Sequence, residues 1–261
     1  MQISPREKTF NYVVLTVFAV IALTPLVQIL NSALAGGGRA NFSQAWSQGH
    51  FAVYMRNSLL VTAAVVALTA VVAVLAGFAF ARMDFPGRSV LFYLLLLGLM
   101  LPAEVFVIPL YFDLRSWGLT DTYASLILPQ TAQSIAFGVF WMRNYFQAFP
   151  ASVLDAARLD GAADRQLLWR VLVPSSGPAL ATMGLLVGMW TWNEFLLPLV
   201  MISDDSRRTA PLGLAFFQGQ HATQQSLLAA AAVIVALPIV ALYLLLQRRF
   251  ITGIVAGSLK G

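Results

Sequence analysis

The charged residues that could do chemistry gather in one stretch, LDAARLDGAADRQLLWRVLVP from Leu154 to Pro174, polar and Ala-rich between two long apolar runs. Their types suit docking rather than catalysis. Ser152 is placed to cap a helix whose third position, Asp155, puts a carboxylate at the positive end of the helix dipole. Ala156, Ala157, Ala162 and Ala163 favour helix and leave a slim surface, while Gly161 permits a turn. From Arg165 to Val173 the apolar positions Leu167, Leu168, Val171 and Leu172 predict a second helix, stopped by Pro174. The spacing therefore predicts a helix, a turn and a helix at a membrane surface, slim enough to enter another protein's groove.

A second set of polar residues lies inside apolar sequence. Thr191, Asn193 and Glu194 interrupt an apolar run near its end, and Glu104 follows Pro102 where another run is expected to break. An ionisable group at membrane depth costs several kcal/mol unless it faces protein or water. Asn193 and Glu194, with Glu104, are therefore candidates for the lining of a pathway. Trp141, Trp190 and Trp192 are candidate stacking platforms, competing with the ordinary roles of interfacial belt and helix packing. His50 and His221 have no second ligand at metal spacing, so no metal site is expected.

Some chemistries are excluded. No G-x-x-x-x-G-K-[ST] phosphate loop occurs, so ATP binding in the usual way is not encoded, and H-E-x-x-H and G-x-S-x-G are absent. With no cysteine among 261 residues, disulfide and thiol chemistry are also ruled out. The net charge of +5 could serve nucleic acid, but the cations are scattered over loops without interleaved aromatics. Membrane topology accounts for them better.

The elements that position these residues are membrane spans. The chain is 59% hydrophobic and 10% charged, with mean hydropathy +0.77, values outside those of soluble domains. Apolar runs predict six crossings: Tyr12–Leu30, Leu59–Phe80, Val90–Ile108 broken near Pro102, Tyr123–Trp141, Ser176–Ile202 and Ser226–Leu246. Ala33-Leu34-Ala35 imitates a signal-peptidase site, yet the preceding run is long for a signal peptide, so an uncleaved first helix is expected. Gly177, Ala181, Gly184 and Gly188 form a small-residue face for helix packing. Of 16 cations, five (Arg39, Arg56, Arg115, Arg207 and Arg208) fall on the side opposite the Asp155 loop. The positive-inside rule then puts both termini and that loop in the cytoplasm.

These residues resemble a known family. Asp155-Ala156-Ala157, Asp160-Gly161-Ala162 and Val173-Pro174 look like the "EAA" loop of binding-protein-dependent ABC importer permeases, with Asp155 in place of the usual Glu. Asn57-Ser58-Leu59, FARMDFPGR (Phe80–Arg88), MLPAEVFVIPLY (Met100–Tyr111), WGLTDTYASLILP (Trp117–Pro129), WNEFLLPL (Trp192–Leu199) and QRRFITGIVAGSLKG (Gln247–Gly261) are similar to the smaller, six-helix permease of maltose-type carbohydrate importers. The resemblance implies an all-α integral membrane protein of the type I ABC importer permease fold, a single permease domain over 1–261 with a coupling loop at 151–174 and a tail at 247–261. Asp155, Ala156, Ala157, Asp160, Gly161, Ala162 and Pro174 would contact an ATPase subunit; Gly257 and Lys260 of the tail would reach the ATPase interface.

It further implies a second homologous permease, two ATPase subunits that hold ATP and Mg, an extracytoplasmic solute-binding protein, a bacterial or archaeal inner membrane, and no cofactor or catalysis in this chain. Two rivals are an importer of the same architecture for a glycerophosphodiester or glycerol-3-phosphate-like solute, and an ion-coupled secondary transporter. The latter predicts embedded ionisable pairs and inverted repeats, whereas here the spans are nearly free of charge and the conspicuous feature is the Asp155 loop.

Overall fold

The computed structural model describes residues 5–218 and 224–258, with side chains over 6–218 and 224–245. Its elements are α1 (Pro5–Leu34), α2 (Ala40–Gln48), α3 (Phe51–Arg82), α4 (Arg88–Met100), α5 (Glu104–Ser116), α6 (Ala124–Ala148) and α7 (Ala151–Leu159). Then come α8 (Asp164–Gln166), a π-helical segment Leu167–Leu172, α9 (Val173–Ser175), α10 (Gly177–Trp192), α11 (Leu196–Met201), α12 (Ala210–Gly213) and α13 (Gln225–Ser258). Among the described residues there is no β-sheet.

α1, α3 and α13 are each long and apolar enough to cross a bilayer. Two bent pairs add to them: α4 with α5, turned by 101°, and the Asp164–Ser175 segment with α10, turned by 72°. The first bend lies where Pro102 predicts a break. Leu101 is extended at φ −89°, ψ 127°, as a residue before proline must be, and Pro102 has no amide to continue the ladder. The second half is longer than the expected span, however. α5 carries Asp113 and Arg115, which the sequence reading leaves in a loop, because their charges fall near its end and do not interrupt its hydrogen bonding. α6 has 25 residues, enough for a crossing. It is less apolar than the others, since Gln130, Thr131 and Ser134 turn into the protein and are buried.

The chain divides into two compact units, Met1–Ala52 with Gly213–Leu237, and Val53–Leu212 with Pro238–Gly261. In the first, Asn41 donates to the carbonyls of Ala33 and Ala35, both at 2.9 Å, and closes the corner between α1 and α2. Phe51 stacks on Phe217 with ring centroids 6.4 Å apart.

The second unit is organised around α6, which packs against α4 and α10. Val61 and Val65 of α3, Met142 and Phe146 of α6, and Met183 and Val187 of α10 are fully covered. The small-residue face expected on α10 is only part of this packing. A methyl at Gly184 or Gly188 would lie in ordinary contact with Val66 or Thr62, and one at Gly177 would meet nothing. The tightest approach joins α3 to α6 instead. A methyl on Gly77 would sit 2.8 Å from Met142 Cβ, and one on Gly138 would sit 3.0 Å from Ala73 Cβ.

Two further boundaries differ from expectation. The expected fifth span ends early, at Trp192, where Asn193 turns the chain before α11. α13 runs on to Ser258 instead of ending near Leu246; no proline follows Pro238, and isolated glycines such as Gly253 and Gly257 cost a helix only about 1 kcal/mol each. Lys260 and His221 lie outside the described residues.

Candidate functional site

The polar stretch of the sequence folds into an elbow. α6 ends at Phe149, whose ψ of 136° is again the extended form required before proline. Arg82, at the end of α3, donates to the carbonyls of Phe146 and Phe149 and so caps α6 with a cation. Because Pro150 begins the next helix directly, α7 starts at Ala151 and Ser152 lies inside its first turn. The expected Ser152 cap is therefore not made: the fixed φ of Pro150 places the helix start earlier.

α7 closes with a Schellman motif. The Ala162 amide donates to the Ala157 carbonyl at 3.0 Å, and the Gly161 amide to the Arg158 carbonyl at 2.9 Å. Gly161 adopts φ +85°, the left-handed conformation in which a Cβ is strained. Beyond it, Gln166 accepts from the Ala163 amide at 2.9 Å, half of a capping box, and the next helical segment begins. This segment does not stop at Pro174. A π-helical turn over Leu167–Leu172 shifts the carbonyl that the proline ring would strike, and helix persists to Ser175 before the 72° bend.

One face of the elbow is anchored and the other is free. Leu154, Leu167, Leu168 and Leu172 are buried in the core. Asp155, Ala156, Asp160, Gly161 and Pro174 are exposed, Ala157 and Ala162 half-buried. At the tip Leu159 is 90% exposed, and Trp169 is also exposed. Bordered by Arg158 and Asp160, Leu159 forms an exposed apolar knob, a feature of docking surfaces. The elbow is tied back to α6: Tyr145 donates to the Ser175 carbonyl at 2.6 Å, and the Trp141 indole to the Ala179 carbonyl at 3.0 Å. Trp141 is thereby a packing residue.

α10 leads from the elbow to a recess within the second unit. Two adjoining cavities, about 340 and 400 Å³, share Gly98, Leu101, Gln130, Gln133 and Glu194. Glu104, in the first turn of α5, lines the larger; Ser134, Phe137, Trp190 and Thr191 line the smaller. Glu194 also accepts from the Leu197 amide at 2.9 Å, which fixes its carboxylate at the start of α11. Glu104 and Glu194 thus line one cavity. The structure does not bring Asn193 or Trp192 there. Asn193 folds back to donate to the Met189 carbonyl, and Trp192 is buried at 5% exposure. Trp190, which is exposed, lines the smaller cavity instead and meets Phe137 in a T-shaped contact with ring centroids 4.8 Å apart. Gln130 and Gln133, unremarked in the sequence, supply amides; their signal was a cluster of glutamines after Pro129 in an apolar run.

A third constellation holds the segment before α12. Asn57, fully buried, donates to the carbonyls of Ser206 and Arg208 at 2.9 Å and accepts from the Tyr123 hydroxyl at 2.8 Å. Ser58 accepts from the Ala210 amide. Asp121 accepts from the amides of Ser203 and Asp204, while Arg207 donates to its carbonyl. The segment 203–210 is thereby clasped to α3 and to the start of α6.

Several known proteins are similar to this chain. A probable ABC transporter permease of Bacillus subtilis, YurM, is 39% identical over 85% of this chain and 73% of its own length. An arabinooligosaccharides transport system permease, AraQ of Halalkalibacterium halodurans, is 35% identical over 82% and 76%. A chain in the crystal structure of a bacterial ABC transporter involved in import of the acidic polysaccharide alginate has the same fold, with TM-score 0.78 and 24% identity over 96% of this chain and 99% of that one. Residues 70–255, from within α3 through the elbow and recess and into α13, match the model of one family. The chain belongs to the family of binding-protein-dependent transport system inner membrane components.

Proposed function

We propose that this chain forms half of the transmembrane pathway of an ATP-driven importer of disaccharide- or oligosaccharide-sized sugars. It pairs with a second homologous permease, two ATPase subunits that bind ATP and Mg, and an extracytoplasmic solute-binding protein. The elbow and both termini face the cytoplasm of a bacterial or archaeal inner membrane, the side to which most cations fall. The observation that carries the reading is Leu159 at the tip of α7, 90% exposed on a helix whose other face is held in the core by Leu154. The knob fits a groove in the ATPase subunit. The recess supports the sugar class: glutamines and carboxylates pair with hydroxyls, and Trp190 offers a face for a sugar ring. Its lining has two carboxylates and no cation, which disfavours a phosphodiester solute.

The contacts support one mechanical route. ATPase closure displaces α7; the Schellman turn at Gly161 transmits that displacement to the 164–175 segment, and the hydrogen bonds from Tyr145 and Trp141 carry it into α6 and α10. α10 ends at the recess, so its movement reshapes the solute path between inward and outward openings. The test is ATP hydrolysis by the reconstituted assembly, titrated with its binding protein and a panel of sugars and glycerophosphodiesters. Stimulation by a sugar supports the assignment; stimulation by phosphodiesters alone would overturn it.

A further inference from the structure

At the end of α3 farthest from Asn57, a recess of about 360 Å³ is lined by Asp84, Arg88, Ser89, Phe92, Tyr93 and Arg143. Arg143 lies over the Phe92 ring at 4.0 Å, and its Nε is buried without a hydrogen-bond partner. Among the described residues no ion pair includes it. Arg88 is paired with Asp84 at 2.9 Å, but that carboxylate is fully exposed and faces water as well. Two guanidiniums thus share the recess with a single carboxylate. The first turn of α4 adds its positive dipole end, which no side chain caps, and the Ser89 hydroxyl.

We infer that this recess binds the phosphate of an anionic phospholipid headgroup. A phosphate would supply the counter-charge that Arg143 lacks and accept from Ser89 and the α4 amides, the chemistry that guanidinium and helix N-termini offer together. The lipid source is favoured by what surrounds it. Tyr93, Leu97 and Met100 are exposed and continue the Ser89 face of α4 at spacings of four, four and three residues, so acyl chains can lie against them while the headgroup reaches the arginines. The site rests on the orientation proposed above, in which this end of α3 meets the cytoplasmic leaflet, where anionic lipids attract basic pockets.

Native mass spectrometry of the whole solubilised assembly, supplied with phosphatidylglycerol, phosphatidylcholine or inorganic phosphate, tests this. Wild type should hold phosphatidylglycerol in preference to phosphatidylcholine. Arg143→Gln should weaken that retention about fivefold or more. Ser89→Glu places an anion in the recess at an exposed position that favours acids, so it should abolish retention without disturbing packing. Equal retention of the two lipids, or indifference to both variants, would overturn the inference; displacement of phosphatidylglycerol by inorganic phosphate would reassign the site to the free anion. Solute-stimulated ATP hydrolysis in the same preparation reports separately on the importer reading, so either can fail alone.

Discussion

Leu159 contributes almost nothing to its own fold at 90% exposure, so Leu159→Glu should leave folding intact. It should weaken retention of the ATPase subunit about tenfold, the equivalent of ~1.4 kcal/mol, in pull-down titration; undiminished retention would remove the knob from the interface. Glu194 does two things at once, accepting from the Leu197 amide and lining the recess. Glu194→Gln keeps an acceptor for the amide but removes the charge. Solute uptake should then show a KM raised by about threefold to tenfold, the difference between a charged and a neutral acceptor, with unstimulated ATP hydrolysis unchanged. An unaltered KM would take Glu194 out of the solute path.

At the scale of elements, the protein is held by close crossings and by one polar clasp. Gly77→Val would force a side chain to within 2.8 Å of Met142 Cβ, where the α3 and α6 backbones leave no slack. Thermal unfolding in detergent should show a loss of about 1–3 kcal/mol. Asn57→Leu leaves two carbonyls and the Tyr123 hydroxyl without their partner. About 2 kcal/mol or more should be lost, with faster proteolysis confined to the 203–210 segment; unchanged cleavage there would mean the clasp does not hold it. Neither feature could be read from residue types alone. Span positions, the Pro102 break and the Gly161 turn were legible because proline, glycine and apolar run length act locally. The Gly77 crossing and the Asn57 clasp depend on residues about 65 and 150 positions away, which no local pattern reports. The Ser152 cap failed for a local reason overlooked beside it, since Pro150 sets the helix start. Likewise Trp190, not Trp192, faces the recess, because the turn at Asn193 fixes the final register of α10.

For the molecule as a whole, the recess and the elbow lie towards the two ends of one helix. α10 joins them, beginning after the 72° bend at Ser176 and ending at the turn that holds Glu194. In the coupling proposed above, displacement of the elbow moves the recess. Gly161 is the place to interrupt it: it sits at φ +85° with open space around its missing Cβ, so Gly161→Asp strains the turn and adds a charge at the docking tip while leaving the core untouched. The most direct measurement is ATP hydrolysis by the reconstituted assembly with binding protein and sugar, comparing wild type with Gly161→Asp. Wild type should respond to sugar, and the variant should retain basal hydrolysis but lose the response. Hydrolysis equally stimulated in both would contradict the claim that the elbow couples the two.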